Sequence, residues 1–158
     1  MIECDLKNKP KELIELNPYA KVPVLVDNGG VVYESAIVNE YLEETYPAPR
    51  LLPTDKLKRA RARTWVDFFN TRIHPTASDL QHKRDIEKAT QRMHAHLTTL
   101  DNELAGKDFI LGEYSLADVT FIPFYTRRSR YGVSIEKYAN VKRWGESLIA
   151  RPAVAATL

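Results

Sequence analysis

Between Pro47 and Thr54 the chain reads Pro-Ala-Pro-Arg-Leu-Leu-Pro-Thr, and its prolines interrupt any helical or strand repeat. The residues before this segment alternate short apolar runs with turns, whereas those after it carry only helical periodicity. The division predicts an α+β chain in two parts: a small mixed unit over residues 1–46, a linker over 47–57 and an all-helical domain over 58–158.

Upstream, residues 2–6 read as a short strand and residues 10–16 as one or two helical turns, with Leu13 and Leu16 on one face. Asn17-Pro18 ends that helix, because the residue before a proline is pushed out of the α region. Val22-Pro23-Val24-Leu25-Val26 and Val31-Val32-Tyr33 flank Asp27-Asn28-Gly29-Gly30, which has the turn chemistry of a hairpin. From Ser35 the pattern turns helical, with Ile37, Val38, Tyr41 and Leu42 as one apolar stripe ending before Pro47. Downstream, Trp65, Phe68, Phe69, Arg72 and Ile73 share a face, and Pro75 is expected to bend that helix. Met93, Leu97, Leu100 and Leu104 form a second stripe, stopped at Gly106. A third helix is predicted from Ser115 to about Arg130, and a fourth carries Val141, Trp144 and Leu148 up to Pro152.

Composition narrows the function classes. Hydrophobic residues make up 44% of the chain, enough for a sizeable core, and a net charge of +2 is no polycation. A single cysteine, Cys4, rules out an intrachain disulfide framework and suggests a reducing compartment. No run reaches the roughly 18 apolar residues of a membrane span, and the opening residues do not read as a secretory signal. A cytoplasmic enzyme or binding protein is the expectation. His82, His94 and His96 lack metal-ligand spacing with cysteine or acidic partners, so no metal is expected.

Three segments carry more information. The first is Asn17-Pro18-Tyr19-Ala20-Lys21-Val22-Pro23-Val24-Leu25, and the second is Tyr33-Glu34-Ser35-Ala36-Ile37 with Tyr41-Leu42. The third is Phe109-Ile110-Leu111-Gly112-Glu113-Tyr114-Ser115-Leu116-Ala117-Asp118, followed by Phe121 and Pro123. In these segments the chain resembles the cytosolic glutathione transferase family, whose N-P-x-x-K-V-P-x-L and E-S-x-A-I segments precede a buried F-x-x-G-x-x-S-x-A-D segment. The resemblance covers essentially the whole chain. It implies an incomplete thioredoxin-like N-terminal unit on the family's all-α C-terminal domain, glutathione as co-substrate, and a homodimer.

The same resemblance implies site residues. A cis bond at Val22-Pro23 would turn the Val22 N–H and C=O outward to pair with an extended peptide. Glu34 and Ser35 stand where a helix begins; there a hydroxyl and free backbone N–H groups can take a carboxylate, and Glu34 can pair with an ammonium. Lys21 is in place to reach a glycyl carboxylate. An ordinary helix start and a solvated turn lysine are the plainer readings of the same residues. Ser115 and Asp118 have the spacing of a capping box and read as structural. His74 is a candidate thiol partner or acid/base, against a histidine simply bonded near a helix bend. Phe68, Thr71, His74 and Tyr125 are expected around a second-substrate cavity.

Set against the family, the chain begins at the second strand. The preceding strand and helix, whose turn carries the thiol-stabilising Tyr, Ser or Cys, have no counterpart, so no residue is assigned that catalytic role. Cys4 does not replace it, because small buried cysteines are usually inert. The expected consequence is that residues 2–6 take the vacant sheet position or that a partner chain fills it. The functional reading is a glutathione transferase-like protein that binds glutathione and, if competent, transfers its thiolate to an apolar electrophile. A non-catalytic binding or regulatory protein is the alternative. Basic clusters at Lys56–Arg63 and Arg127–Arg130 read as a solvated face or an anion-lined cleft mouth, ahead of a nucleic-acid or polymerase partner.

Overall fold

The computed structural model describes residues 2–5 and 7–157 of the chain. It divides into two compact units, residues 1–50 and 51–158, parting inside the proline-rich segment.

In the first unit, α1 (Lys11–Leu16) buries only Leu13, and Asn17 closes it by sending its N–H to the Leu13 carbonyl. Strands β1 (Val24–Asp27) and β2 (Gly30–Tyr33) pair antiparallel, with Val24 opposite Tyr33 and Asp27 opposite Gly30. Asn28 and Gly29 form the two-residue turn with φ of 49° and 80°, left-handed values that Asn and Gly tolerate and that suit the strand twist. Helix α2 (Ser35–Thr45) follows at once. The Tyr41 hydroxyl donates to Asp27 Oδ2 at 2.7 Å, fixing this helix to the hairpin turn.

Two expectations for this unit change. Residues 2–5 carry no strand, and Leu6 lies outside the described residues; the described sheet is the hairpin alone. The reason is local. Asp5 accepts the Lys7 N–H at 2.8 Å and the Asn8 amide at 3.0 Å, a side-chain turn that competes with extended pairing. Nor is the α2 stripe uniformly covered: Val38 is buried while Ile37 and Leu42 are exposed, because the hairpin offers a single narrow face.

The second unit is helical throughout: α3 (Lys56–Phe68), α4 (His74–Gln81), α5 (Ile86–Glu103), α6 (Leu116–Thr126), α7 (Ala139–Ile149) and α8 (Pro152–Ala155). Asp55 caps α3 by accepting the Lys58 N–H at 2.8 Å. Ala89, Met93, Leu97, Leu100 and Leu104 recur at three- and four-residue spacing and are all buried, so one stripe of α5 forms a spine of the core. Phe121 and Trp144 meet on this core at 5.7 Å, edge to face. The third predicted helix ends earlier than expected, at Thr126, and Arg128–Tyr131 continue as a 3₁₀ turn before the left-handed Gly132. Pro152 does not merely stop α7 but opens α8, the first-turn position where its missing N–H costs nothing.

Between α3 and α4 the backbone widens into a π turn, Phe69–Ile73, in which the His74 N–H reaches back to the Phe69 carbonyl. Pro75 explains it: the ring has no N–H to give and would clash with the carbonyl four residues earlier, so the chain inserts a residue instead of kinking sharply.

Two histidines of α5 are expected to make this unit less stable in acid. Tyr138 donates its hydroxyl proton to the His94 carbonyl at 3.1 Å, so it accepts from His94 Nδ1 at 2.8 Å. Burial holds His94 and His96 below the ordinary value of 6.5, with further depression from Lys137 in the first case and from Arg72 and Arg92 in the second. For a depressed histidine the unfolded chain takes up its proton first as pH falls. Stability is therefore complete above the unfolded value and drains away as pH drops through it toward the folded values. The melting temperature is expected to fall between pH 7 and about 5.5, with His96→Gln giving a shallower slope in a thermal scan.

Candidate functional site

The first unit gathers its exposed polar backbone at one end of the hairpin. Asn17 is 1% exposed, and both polar atoms of its side chain are bonded: Oδ1 accepts the Tyr19 N–H at 2.9 Å and Nδ2 donates to the Lys21 carbonyl at 2.8 Å. This buried amide holds the loop 17–21, including Ala20 at φ 50°, and so delivers Lys21 and Val22 in a fixed direction. Tyr19 also packs edge-on against Tyr33, 5.6 Å away, tying the loop to β2. The Val22–Pro23 peptide bond is cis. Val22 is 47% exposed, and no described residue takes its N–H or carbonyl.

Register then does the assembling. Since Val24 faces Tyr33, Val22-Pro23 enters the ladder beside the point where Glu34-Ser35 leaves it. Glu34 sits at φ 69°, ψ 116°, a positive φ that a side-chain-bearing residue adopts at a cost of roughly 1–3 kcal/mol. Its carbonyl accepts the Val38 N–H, which starts α2, but neither it nor Ser35 caps the helix with its side chain. Among the described residues the N–H groups of Ser35, Ala36 and Ile37 thus have no partner at the positive end of an eleven-residue helix whose first turn holds no acid. Lys21 stands at the same end, exposed, with no described carboxylate beside its ammonium. Outward backbone groups next to a helix N-terminus suit an extended ligand that offers amides and a carboxylate. Asn17 as the residue positioning this loop is missed when Asn17-Pro18 is read only as a helix stop.

The second unit holds a cavity of about 190 Å³. Phe69, His74, Ser78 and His82 line one side, following the π turn and α4; Phe124, Arg127 and Tyr131 line the other. Of the four residues expected around a second-substrate cavity, His74 alone lines this one. Phe68 instead packs edge-on against Trp65 at 5.1 Å and His96 at 5.8 Å. Thr71 is exposed and donates its hydroxyl to the Asp67 carbonyl at 2.8 Å. Tyr125 is 1% exposed, with its hydroxyl on the Lys142 carbonyl at 3.2 Å. The π turn accounts for the displacement of Thr71, since the extra residue rotates side chains within and after it against a 3.6-residue count, whereas Phe68 lies before the turn, at the end of α3. Phe69 could have been found from Pro75; nothing in the sequence singles out Ser78 or Tyr131.

Ser115 and Asp118 form a capping box at the start of α6. The carboxylate also reaches further: Oδ1 accepts the Ile110 N–H at 3.0 Å and the Trp144 indole at 2.9 Å. Two basic residues of α3 meet acids, Arg61 on Glu103 at 2.9 Å and Lys58 near Glu113 at 3.8 Å. Among the described residues no group of three or more His, Cys, Asp or Glu is placed to hold a metal, and no helix is long and apolar enough to cross a membrane.

Fold and site together define a thioredoxin-like unit joined to an all-helical domain. Residues 1–45 match the glutathione S-transferase N-terminal domain, and residues 63–152 match the glutathione S-transferase C-terminal domain. Glutathione S-transferase U24 of Arabidopsis thaliana is 36% identical over 99% of this chain and 76% of its own length. A probable glutathione S-transferase of Nicotiana tabacum is 35% identical over 94% of this chain and 71% of its own. The crystal structure of rice GST1 in complex with glutathione superposes with a TM-score of 0.85 at 29% identity, covering 99% of this chain and 77% of that one. The chain belongs to the glutathione S-transferase family.

Proposed function

We propose that this chain binds glutathione at the hairpin end of its first unit and transfers its thiolate to an apolar electrophile. The cavity of the second unit is read as a pocket for such a small second substrate. The reading is carried by the ladder register, which brings the unpaired Val22 backbone beside the unpaired N-terminus of α2. In this scheme Val22 pairs with the backbone of the tripeptide. Ser35 and the first N–H groups of α2 take one carboxylate, Lys21 reaches the other, and Glu34 meets the ammonium. The glutathione thiol gives up its proton, its sulfur bonds to the electrophilic carbon, and the leaving group departs with its electron pair. No residue of this chain is assigned the role of stabilising the thiolate. The complex with glutathione of the rice relative supports the co-substrate. Under the same reading the protein acts in the cytoplasm as a homodimer, eluting in gel filtration at about twice the chain mass.

Ser35→Ala is expected to weaken glutathione binding about tenfold, the worth of one hydrogen bond to a charged group, with no change in melting temperature. Isothermal titration checks it, and an unchanged affinity would remove Ser35 from the site. Glutathione-dependent consumption of a generic aryl chloride separates the transferase from a protein that binds glutathione without turning it over.

A further inference from the structure

Resting on that reading of the cavity and narrowing its substrate class, we infer that it selects electrophiles whose apolar aromatic ring also carries a carboxylate. The volume, about 190 Å³, exceeds the roughly 150 Å³ that accommodates benzene, so it holds one substituted ring. The walls suit such a ring. Phe124 and Tyr131 stack at 5.4 Å, within 8° of parallel, and Phe69 is braced edge-on by Phe121 at 5.0 Å.

The polar part of the lining is one-sided. No Asp or Glu lines the cavity, whereas Arg127, His74, His82 and Ser78 do. The nearest acid in sequence, Asp79, is already taken, with Oδ1 on Arg84 at 2.9 Å and Oδ2 on Arg92 at 2.7 Å. Ser78 Oγ accepts from Arg84 Nη2 at 3.0 Å and keeps its proton to donate. His82 Nδ1 faces the Ser78 carbonyl at 2.8 Å, so that nitrogen carries a proton and cannot take the one from Ser78.

Arg127 and Arg128 differ sharply although they are adjacent. Arg128 donates to the Tyr125 carbonyl at 2.8 Å and lies over the Tyr125 ring, 4.2 Å from its centre. Arg127 has no carboxylate partner among the described residues and lies on the cavity wall beside the stacked rings. An unpaired guanidinium at the rim of an aromatic slot lacking acids is a receptor for a planar anion, which it can bind through two parallel hydrogen bonds.

The test compares 4-chloro-3-nitrobenzoate with 1-chloro-2-nitrobenzene, which share ring and leaving group but differ in charge. Binding is measured by ligand-observed NMR titration on the full chain without glutathione. The wild type is expected to prefer the benzoate about tenfold. Arg127→Met abolishes the preference while leaving the neutral compound within about twofold, Arg127→Lys keeps most of it, and Arg130→Met, a neighbouring cation off the wall, changes nothing. Equal binding of both compounds to the wild type, or a preference that survives Arg127→Met, overturns the inference and leaves the second-substrate reading standing. If neither compound binds, that reading itself falls, and the inference with it.

Discussion

Replacing Asp118 with Ala is expected to lower the stability of the helical unit by at least about 3 kcal/mol, a fall in melting temperature of roughly 6–12 °C. The carboxylate is completely buried and receives four donors. Ile110 N–H and the Trp144 indole bond to Oδ1, at 3.0 and 2.9 Å; Ser115 N–H and its hydroxyl bond to Oδ2, at 2.9 and 3.0 Å. Ala leaves all of them without an acceptor in a place water does not reach, and each orphaned donor costs about 1–3 kcal/mol before relaxation. Asp118→Asn sharpens the point. Whichever way the amide is turned, its NH₂ faces two donors, so the isosteric variant should lose nearly as much as Ala. Near-ultraviolet circular dichroism during a thermal scan reads the effect directly, because both tryptophans belong to this unit. A melting shift below about 2 °C for both variants would show that the network is dispensable.

Acid does not undo this hub. Burial, the largest influence, raises the Asp118 carboxyl above its ordinary value, against the four hydrogen bonds that lower it. With a raised folded value the native state holds its proton longer than the unfolded chain does. As pH falls through that window Asp118 is expected to add stability rather than lose it, so the expected fall in melting temperature is assigned to His94 and His96.

How much of this was legible in the sequence depends on whether local rules governed the residue. The hairpin was, because Asn28-Gly29 between apolar runs has few other conformations, and the strand pairing then juxtaposes Val22-Pro23 with Glu34-Ser35. The α5 spine was, because Met93, Leu97, Leu100 and Leu104 keep one helical period without a break. The cavity was not. Counting at 3.6 residues per turn through Phe68, Thr71 and His74 assumes a regular helix, and the π turn at Phe69–Ile73 breaks the count where the wall begins. Asp118 was legible as half of a capping box, but its bond to Trp144 joins residues 26 apart and has no local signature. The same holds for Tyr125, whose place is decided by a glycine on another helix.

That glycine carries the second large effect. Gly145 lies inside α7, where alanine would ordinarily favour the helix by about 1 kcal/mol. Here the sign reverses. A Cβ built on Gly145 overlaps the edge of the Tyr125 ring, which is 1% exposed, anchored by its hydroxyl on the Lys142 carbonyl and covered by the Arg128 guanidinium. A ring held on three sides cannot swing aside, so α6 and α7 must separate or Tyr125 must leave its rotamer. Overpacking of this kind costs about 1–3 kcal/mol and sometimes more, which outweighs the propensity gain. Gly145→Ala is therefore expected to lower the urea midpoint clearly, at an unchanged slope. Tyr125→Phe should not rescue it, since the obstructing atoms are the ring carbons, whereas Tyr125→Leu removes them, and in that background Gly145→Ala should cost little or even stabilise. A coupling of about 1 kcal/mol or more between the two positions in this double-mutant cycle is the signature of direct contact. Strict additivity would mean that the two helices meet elsewhere.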